Sequence, residues 1–199
     1  LFYATSSIIA IKIVGNLGPD AIAAAVTGQR VTFILQAVLT GVLAGSTALI
    51  ARNWGANDSL EAGVFFTRTV QLVFFLSLIS SMLVWQLAEP LVIFFGLKDQ
   101  ALSLSIQYLK AISPFYIAFG CGMALITALR AVGDVKTPLI IGLIMNLFAI
   151  FFMLVFVNGW LGFPKYGVVG AAFGSGVSFV IGASLLIVFW LSNQFPVRY

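Results

Sequence analysis

Hydrophobic positions in this chain come in long unbroken runs, not in the one-sided stripe of a helix lying on a soluble core. The segments "LVFFLSLISSMLVW" at 72–85, "LIIGLIMNLFAIFFMLVFV" at 139–157 and "VVGAAFGSGVSFVIGASLLIVFWL" at 168–191 approach or exceed the roughly 20 residues that cross about 30 Å of hydrocarbon. Gly, Pro and charged residues collect between the runs, in "GNLGPD", "RNWGANDSLE", "LRAVGDVKTP" and "GWLGFPKYG". These breaks predict six helices, at about 1–15, 19–51, 60–87, 101–131, 138–158 and 168–191, with helix stops at Gly and Pro and starts at capping Asp or Ser. The fold class that follows is an all-α membrane protein with six transmembrane helices.

Two of these helices are expected to be irregular. The one at 19–51 would be about 45–50 Å long, so it must tilt, bend near the glycines of "TGVLAGS" or protrude. Pro114 removes a backbone donor in the middle of the helix at 101–131 and predicts a kink. "AEPLVIFFGLKDQ" reads as a broken junction at the membrane interface between the third and fourth helices. The chain opens on "LFYATSSIIAIKIVG", without Met or a basic leader, as if inside a helix already begun. A fragment of a longer protein is expected.

Composition removes the soluble alternative: 61% of the 199 residues are hydrophobic and only 8% are charged, with a mean hydropathy of +1.12, outside the range of soluble domains. The net charge of +4 comes from ten dispersed Lys and Arg that form no patch, so nucleic acid is not an expected partner. Those residues report orientation instead. With the first helix running outward, Arg52, Arg68, Arg130, Lys136 and Arg198 fall at cytoplasmic ends, against Lys98, Lys110, Lys165 and Lys12 on the other side. Cys121 is alone, which excludes an intrachain disulfide, and histidine is absent. "GVLAGST" lacks the Lys of a phosphate loop, and the Asp residues sit in turns without a base partner. No enzyme activity, metal or organic cofactor is expected.

Polar residues inside the spans carry the functional information, because each is costly in lipid. Arg30 either lies at the surface on a protruding helix or faces a wet cavity. Gln36, Gln71, Gln107 and Asn146 either join helices by hydrogen bonds or line a passage. Tyr108 and Tyr116, on either side of Pro114, are positioned to touch a ligand or to pack, while Lys12 and Lys110 have stems long enough to snorkel. None of the acidic residues lies deep in a span. Arg130, Asp134 and Lys136 form the densest group of charges, and Asp134 is placed to cap the next helix and to pair with either base. The group reads as a cytoplasmic anchor or as a gate.

The turn signatures, taken in order, carry a resemblance. "GNLGPDAIAAAVTGQ", "GVLAGSTALIARNWGANDSLEA", "ALRAVGDVKTPLIIGLIMNLFAIFF" and "YGVVGAAFGSGVSF" resemble the multidrug and toxic compound extrusion family of antiporters from about Ile8 to Leu191. The resemblance implies one six-helix lobe of a twelve-helix, two-lobed transporter, its second lobe in the same chain and the whole working as a monomer. It implies export of an organic cation or another amphipathic small molecule against H⁺ or Na⁺ as the coupling ion, in contact with membrane lipid, in a bacterial cytoplasmic (inner) membrane. Substrate contacts are expected at Arg30, Gln36, Gln107, Tyr108, Pro114, Tyr116 and Asn146. In the family's amino-terminal lobe the first helix commonly carries an Asp where this chain has Ala10, which points to the carboxy-terminal lobe or to a cation site elsewhere. A lipid or lipid-linked oligosaccharide flippase and a non-transporting membrane scaffold are the alternatives.

Overall fold

The computed structural model describes residues 12–192 of the chain. Residues 12–15 are helical; the rest of the helix expected at 1–15, with Ala10, lies outside the described residues. Then follow α1 (Pro19–Gly55), α2 (Ser59–Phe94), α3 (Asp99–Ile112), α4 (Tyr116–Ala131), α5 (Lys136–Asn158) and α6 (Val168–Leu191). A 3₁₀ turn, Ser113–Phe115, links α3 to α4, so that Asp99–Ala131 forms one span and five helical stretches are long and apolar enough to cross a membrane. No strand occurs among the described residues.

Two boundaries differ from the sequence expectation. α1 runs 37 residues to Gly55, about 55 Å, opening on Pro19, whose missing N–H would have had no intrahelical partner. α2 continues through Pro90 to Phe94 and α3 begins at Asp99, so most of the expected interfacial junction is helix. The reason is packing. Ala88 and Val92 are buried against Val31, Val84 and Leu109, while Pro90 itself lies on the exposed side, and burial of the inner face holds the last turns together.

The α1–α2 and α4–α5 turns use the same device. At the first, Asn57 takes a left-handed φ of 60° and the N–H groups of Asn57 and Asp58 donate to the carbonyls of Trp54 and Asn53 at 3.1 and 3.0 Å. At the second, Gly133 has φ 88°, and the N–H groups of Gly133 and Asp134 donate to Arg130 and Leu129 at 3.1 and 2.9 Å. Both are Schellman closures that satisfy the last carbonyls of the helix. In each, the next residue is an Asp whose carboxylate caps the following helix: Asp58 Oδ1 accepts from the Glu61 N–H, and Asp134 Oδ1 from the N–H groups of Lys136 and Thr137. One left-handed residue and one Asp thus end a helix and begin the next, reversing the chain on one side of the bundle.

The interior is filled by small side chains and the exterior by large apolar ones. Ala24, Ala25, Ala171 and Ala172 are buried with Tyr108, Ile112 and Tyr116, whereas Phe75, Ile79, Met82 and Trp85 on α2 and Leu147, Phe151 and Val188 on α5 and α6 are exposed. Such an exterior suits lipid rather than water. α5 and α6 approach most closely at glycines: a Cβ on Gly174 would fall 2.5 Å from the Met153 nitrogen, and one on Gly170 2.6 Å from the Phe156 carbonyl carbon. The spacing is the small-x-x-x-small pattern that lets helix backbones touch in a membrane.

Hydroxyls buried in this interior turn back on their own helix. Thr69 donates to the Phe65 carbonyl at 2.8 Å, Ser77 to Phe74 at 2.9 Å and Ser105 to Ala101 at 2.7 Å. Among the described residues no buried side-chain nitrogen or oxygen lacks a partner. Ser113 does more than satisfy itself. Pro114 cannot donate to the Lys110 carbonyl four residues back, and the fully buried Ser113 hydroxyl donates to that carbonyl at 3.1 Å instead. Substituting Ser113→Ala is expected to destabilise the protein by about 1–3 kcal/mol, read as a lower melting temperature in detergent.

Candidate functional site

α1 and α5 share no packed interface; α4 and α6 pack on both of them, and α3 packs on α1 and α6. The space left open is a cavity of about 760 Å³. α1 lines it with Ala25, Gln29, Arg30, Phe33 and Gln36, and α5 with Gly142, Met145, Asn146, Ala149 and Met153. The three- and four-residue steps show that each wall is one face of its helix. α3 and α4 contribute Tyr108, Ile112, Tyr116, Phe119 and Met123, and α6 contributes Ala171, Ser175, Ser178 and Phe179.

Close packing behind the lining fixes these side chains. The Tyr108 ring lies against Gly28 of α1, and Phe115 of the 3₁₀ turn lies against Gly176 of α6; a Cβ at either glycine would collide with the ring. The break at Pro114 thereby offsets Tyr108 and Tyr116, which sit on the two sides of it and are both buried. Phe119 pairs with Tyr116 at 5.9 Å and with Phe179 at 5.0 Å between ring centroids, forming an aromatic floor that spans α4 and α6. Met123, Met145 and Met153 add flexible, polarisable surface.

The polar groups form a band. Arg30 on α1, Asn146 on α5 and Ser178 on α6 each lie about three turns from the same end of the bundle. Asn146 Nδ2 donates to the Gly142 carbonyl at 2.7 Å, Thr32 Oγ1 to Gln29 at 2.7 Å, Ser175 Oγ to Ala171 at 3.1 Å and Ser178 Oγ to Ser175 at 2.6 Å. Among the described residues, Arg30 is the one charged residue of the lining.

Of the residues singled out in the sequence, Arg30, Gln36, Tyr108, Tyr116 and Asn146 line the cavity. Gln107 and Pro114 do not. Gln107 is one position, and therefore about 100°, round the helix from Tyr108; it is exposed and donates to Ser103 Oγ at 3.3 Å. Pro114 shapes the site from an exposed position. Gln71 and Lys110 are also exposed and outside the lining. Gln29, Ser175, Ser178, Phe119, Phe179 and the three methionines went unremarked in the sequence. The four-residue step from Ala171 to Ser175 is the visible sign of an inward face on α6.

Arg130, Asp134 and Lys136 stand at the α4–α5 turn, and none of them lines the cavity. Arg130 is exposed on the last turn of α4. The Asp134 carboxyl is held below its ordinary pKa first by the Thr137 hydroxyl, then by the N–H groups of Thr137 and Lys136 and the charge of Lys136.

The described residues thus form a bundle of long apolar helices around a large, mostly apolar cavity with a few polar groups. The family model MatE matches residues 1–155, and the chain belongs to this family. It is 30% identical over 172 residues to a probable multidrug resistance protein, NorM, of Thermotoga maritima, covering 85% of this chain and 37% of that protein. It is 25% identical over 186 residues to the probable multidrug resistance protein YoeA of Bacillus subtilis, covering 92% of this chain and 40% of that one. The chain thus spans about two fifths of the length of these relatives. Among solved structures, an inward-facing multidrug resistance MATE family transporter of the MOP superfamily matches with a TM-score of 0.85 at 25% identity, over 97% of this chain and 43% of that one. A MOP superfamily transporter from Pyrococcus furiosus matches in fold with a TM-score of 0.90 at 21% identity, over 99% of this chain and 43% of that one. The fold is therefore that of a MATE transporter lobe.

Because folding lowers the Asp134 pKa, the carboxylate's stabilising effect is complete above the unfolded value of about 4 and is lost as pH falls through the folded value. Asp134→Ala is expected to cost about 1 kcal/mol at neutral pH, as for other helix caps. The difference in melting temperature between the variant and the parent is expected to shrink below about pH 4.

Proposed function

We propose that the chain is one lobe of a secondary active transporter that exports amphipathic organic compounds, organic cations among them, in exchange for H⁺ or Na⁺. A second lobe in the same polypeptide completes the transporter, which works as a monomer in a bacterial cytoplasmic membrane and carries out no covalent chemistry. The observation that carries this reading is the cavity. Its volume of about 760 Å³ lies in the range of drug-sized ligand sites, and its lining is aromatic and methionine-rich with a few polar groups. A surface of that kind binds by shape and apolar contact and tolerates many ligands.

Alternating access supplies the cycle: two lobes rock about a site near the midplane. The coupling ion needs a carboxylate or comparable ligand, and none of this chain's six acidic residues is among the residues that line the cavity. The coupling group is assigned to the remainder of the protein.

The full-length protein carrying this lobe, reconstituted in vesicles, is expected to move a fluorescent amphiphile when a pH or Na⁺ gradient is imposed and to stop when both are collapsed. Movement without any gradient dependence would remove the antiport reading. Phe179→Ala, which opens the floor against Phe119, is expected to weaken ligand binding about tenfold, the equivalent of roughly 1.4 kcal/mol, with the fold unchanged by circular dichroism.

A further inference from the structure

Resting on the transporter reading of this cavity, we propose that the wall supplied by this lobe recognises the anionic group of an amphipathic ligand, with Arg30 as its counter-charge. Among the described residues the lining holds one charged side chain, Arg30, and no carboxylate. This is a property of the whole chain. The acidic residues are Asp20, Asp58, Glu61, Glu89, Asp99 and Asp134; each lies within two turns of a helix end or in a connection, and none lines the cavity.

Arg30 is placed to act on a ligand. It is exposed in the lobe and lies on the cavity face of α1 between Gln29 and Phe33, at the level of Asn146 and Ser178. Its guanidinium is always charged and offers a planar fork of donors that fits a carboxylate, sulfonate or phosphate. Arg30 shares the cavity with aromatic and aliphatic side chains from α3, α4, α5 and α6, neutral amides from α1 and α5 and the hydroxyls of Thr32, Ser175 and Ser178, so among the described residues no lining group carries a charge that compensates it. In so apolar a setting an opposite charge is attracted, and a like charge repelled, more strongly than in water. The ligand class that satisfies both features is an aromatic or aliphatic body carrying one anionic group.

The test uses the full-length protein in nanodiscs of phosphatidylcholine, with three probes that share one ring system: 2-naphthalenesulfonate, its trimethylammonium counterpart and 2-naphthalenemethanol. Calorimetry is expected to show the sulfonate binding at least tenfold more tightly than the ammonium. Arg30→Gln is expected to reduce that ratio about tenfold and to change the alcohol's affinity less than twofold. Arg30→Lys is expected to retain part of the preference. Equal or tighter binding of the ammonium by the unaltered protein overturns the assignment even if no variant folds, as does a ratio unmoved by Arg30→Gln in a folded variant. Adding phosphatidylglycerol separates the sources of the anion: competition with the sulfonate makes a lipid headgroup the occupant, and its absence a soluble amphiphile. Binding is read without transport, so a sulfonate preference without gradient-driven efflux removes the transport reading alone. Gradient-driven efflux with the ammonium preferred removes only the charge assignment.

Discussion

Every polar group that this chain takes into the hydrocarbon has to be satisfied by the chain itself, and that constraint shapes the lobe more than any single contact. It turns Thr69, Ser77 and Ser105 back onto their own helices. It also makes the break at Pro114 tolerable, because the carbonyl that the proline cannot serve is served by Ser113. The break in turn lets one span present Tyr108 and Tyr116 from differently oriented halves, with Phe115 seated on Gly176. A cavity wall is thus built from a backbone irregularity that would be expensive if Ser113 were absent.

The same constraint separates what packs from what encloses. Helices that touch do so through residues with little to satisfy, such as Gly170 and Gly174 against the α5 backbone and the alanines of α1 and α6. Gln29, Gln36 and Asn146 are confined to helix faces that meet a cavity. Since α1 and α5 share no packed interface, their facing surfaces are where amides and a guanidinium find room. The site therefore arises from the packing pattern: close approach of α5 to α6 on one side leaves the gap on the other.

Much of this was legible in the sequence. Unbroken apolar runs gave the spans, because burial on all sides by lipid removes the need for an amphipathic stripe. Pro114 announced the break, and the Asp residues after Asn57 and Gly133 announced the caps. Two kinds of information were hidden. The extension of α2 through Pro90 depends on Ala88 and Val92 packing against Val31 and Leu109, contacts between segments far apart in the chain. Which face of an all-apolar helix such as α5 or α6 points inward is invisible when periodicity is weak, and Ser175 and Ser178 were hidden among small residues for that reason. In α3, by contrast, Gln100, Ser103, Gln107 and Lys110 recur at helical spacing and are all exposed, so the outward position of Gln107, one residue of rotation from Tyr108, was readable from that stripe.

Much of the charge in this chain follows one rule. Asp20, Glu61 and Asp99 sit in the first turns of α1, α2 and α3, and Asp58 and Asp134 cap α2 and α5, where negative charge complements the positive end of the helix dipole. Arg52, Lys110 and Arg130 sit in the last turns of α1, α3 and α4, where positive charge complements the negative end. These residues are accounted for by helix ends and connections, without reference to a ligand. Arg30 is not. It stands about three turns inside α1, far from either end, on the face that meets the cavity. Neither helix dipole nor capping accounts for a charge at that position. Five of the six acids thus serve helix starts, and three bases serve helix ends, whereas Arg30 is the cation that stands, among the described residues, in the wall of the cavity, facing the space that a ligand would fill.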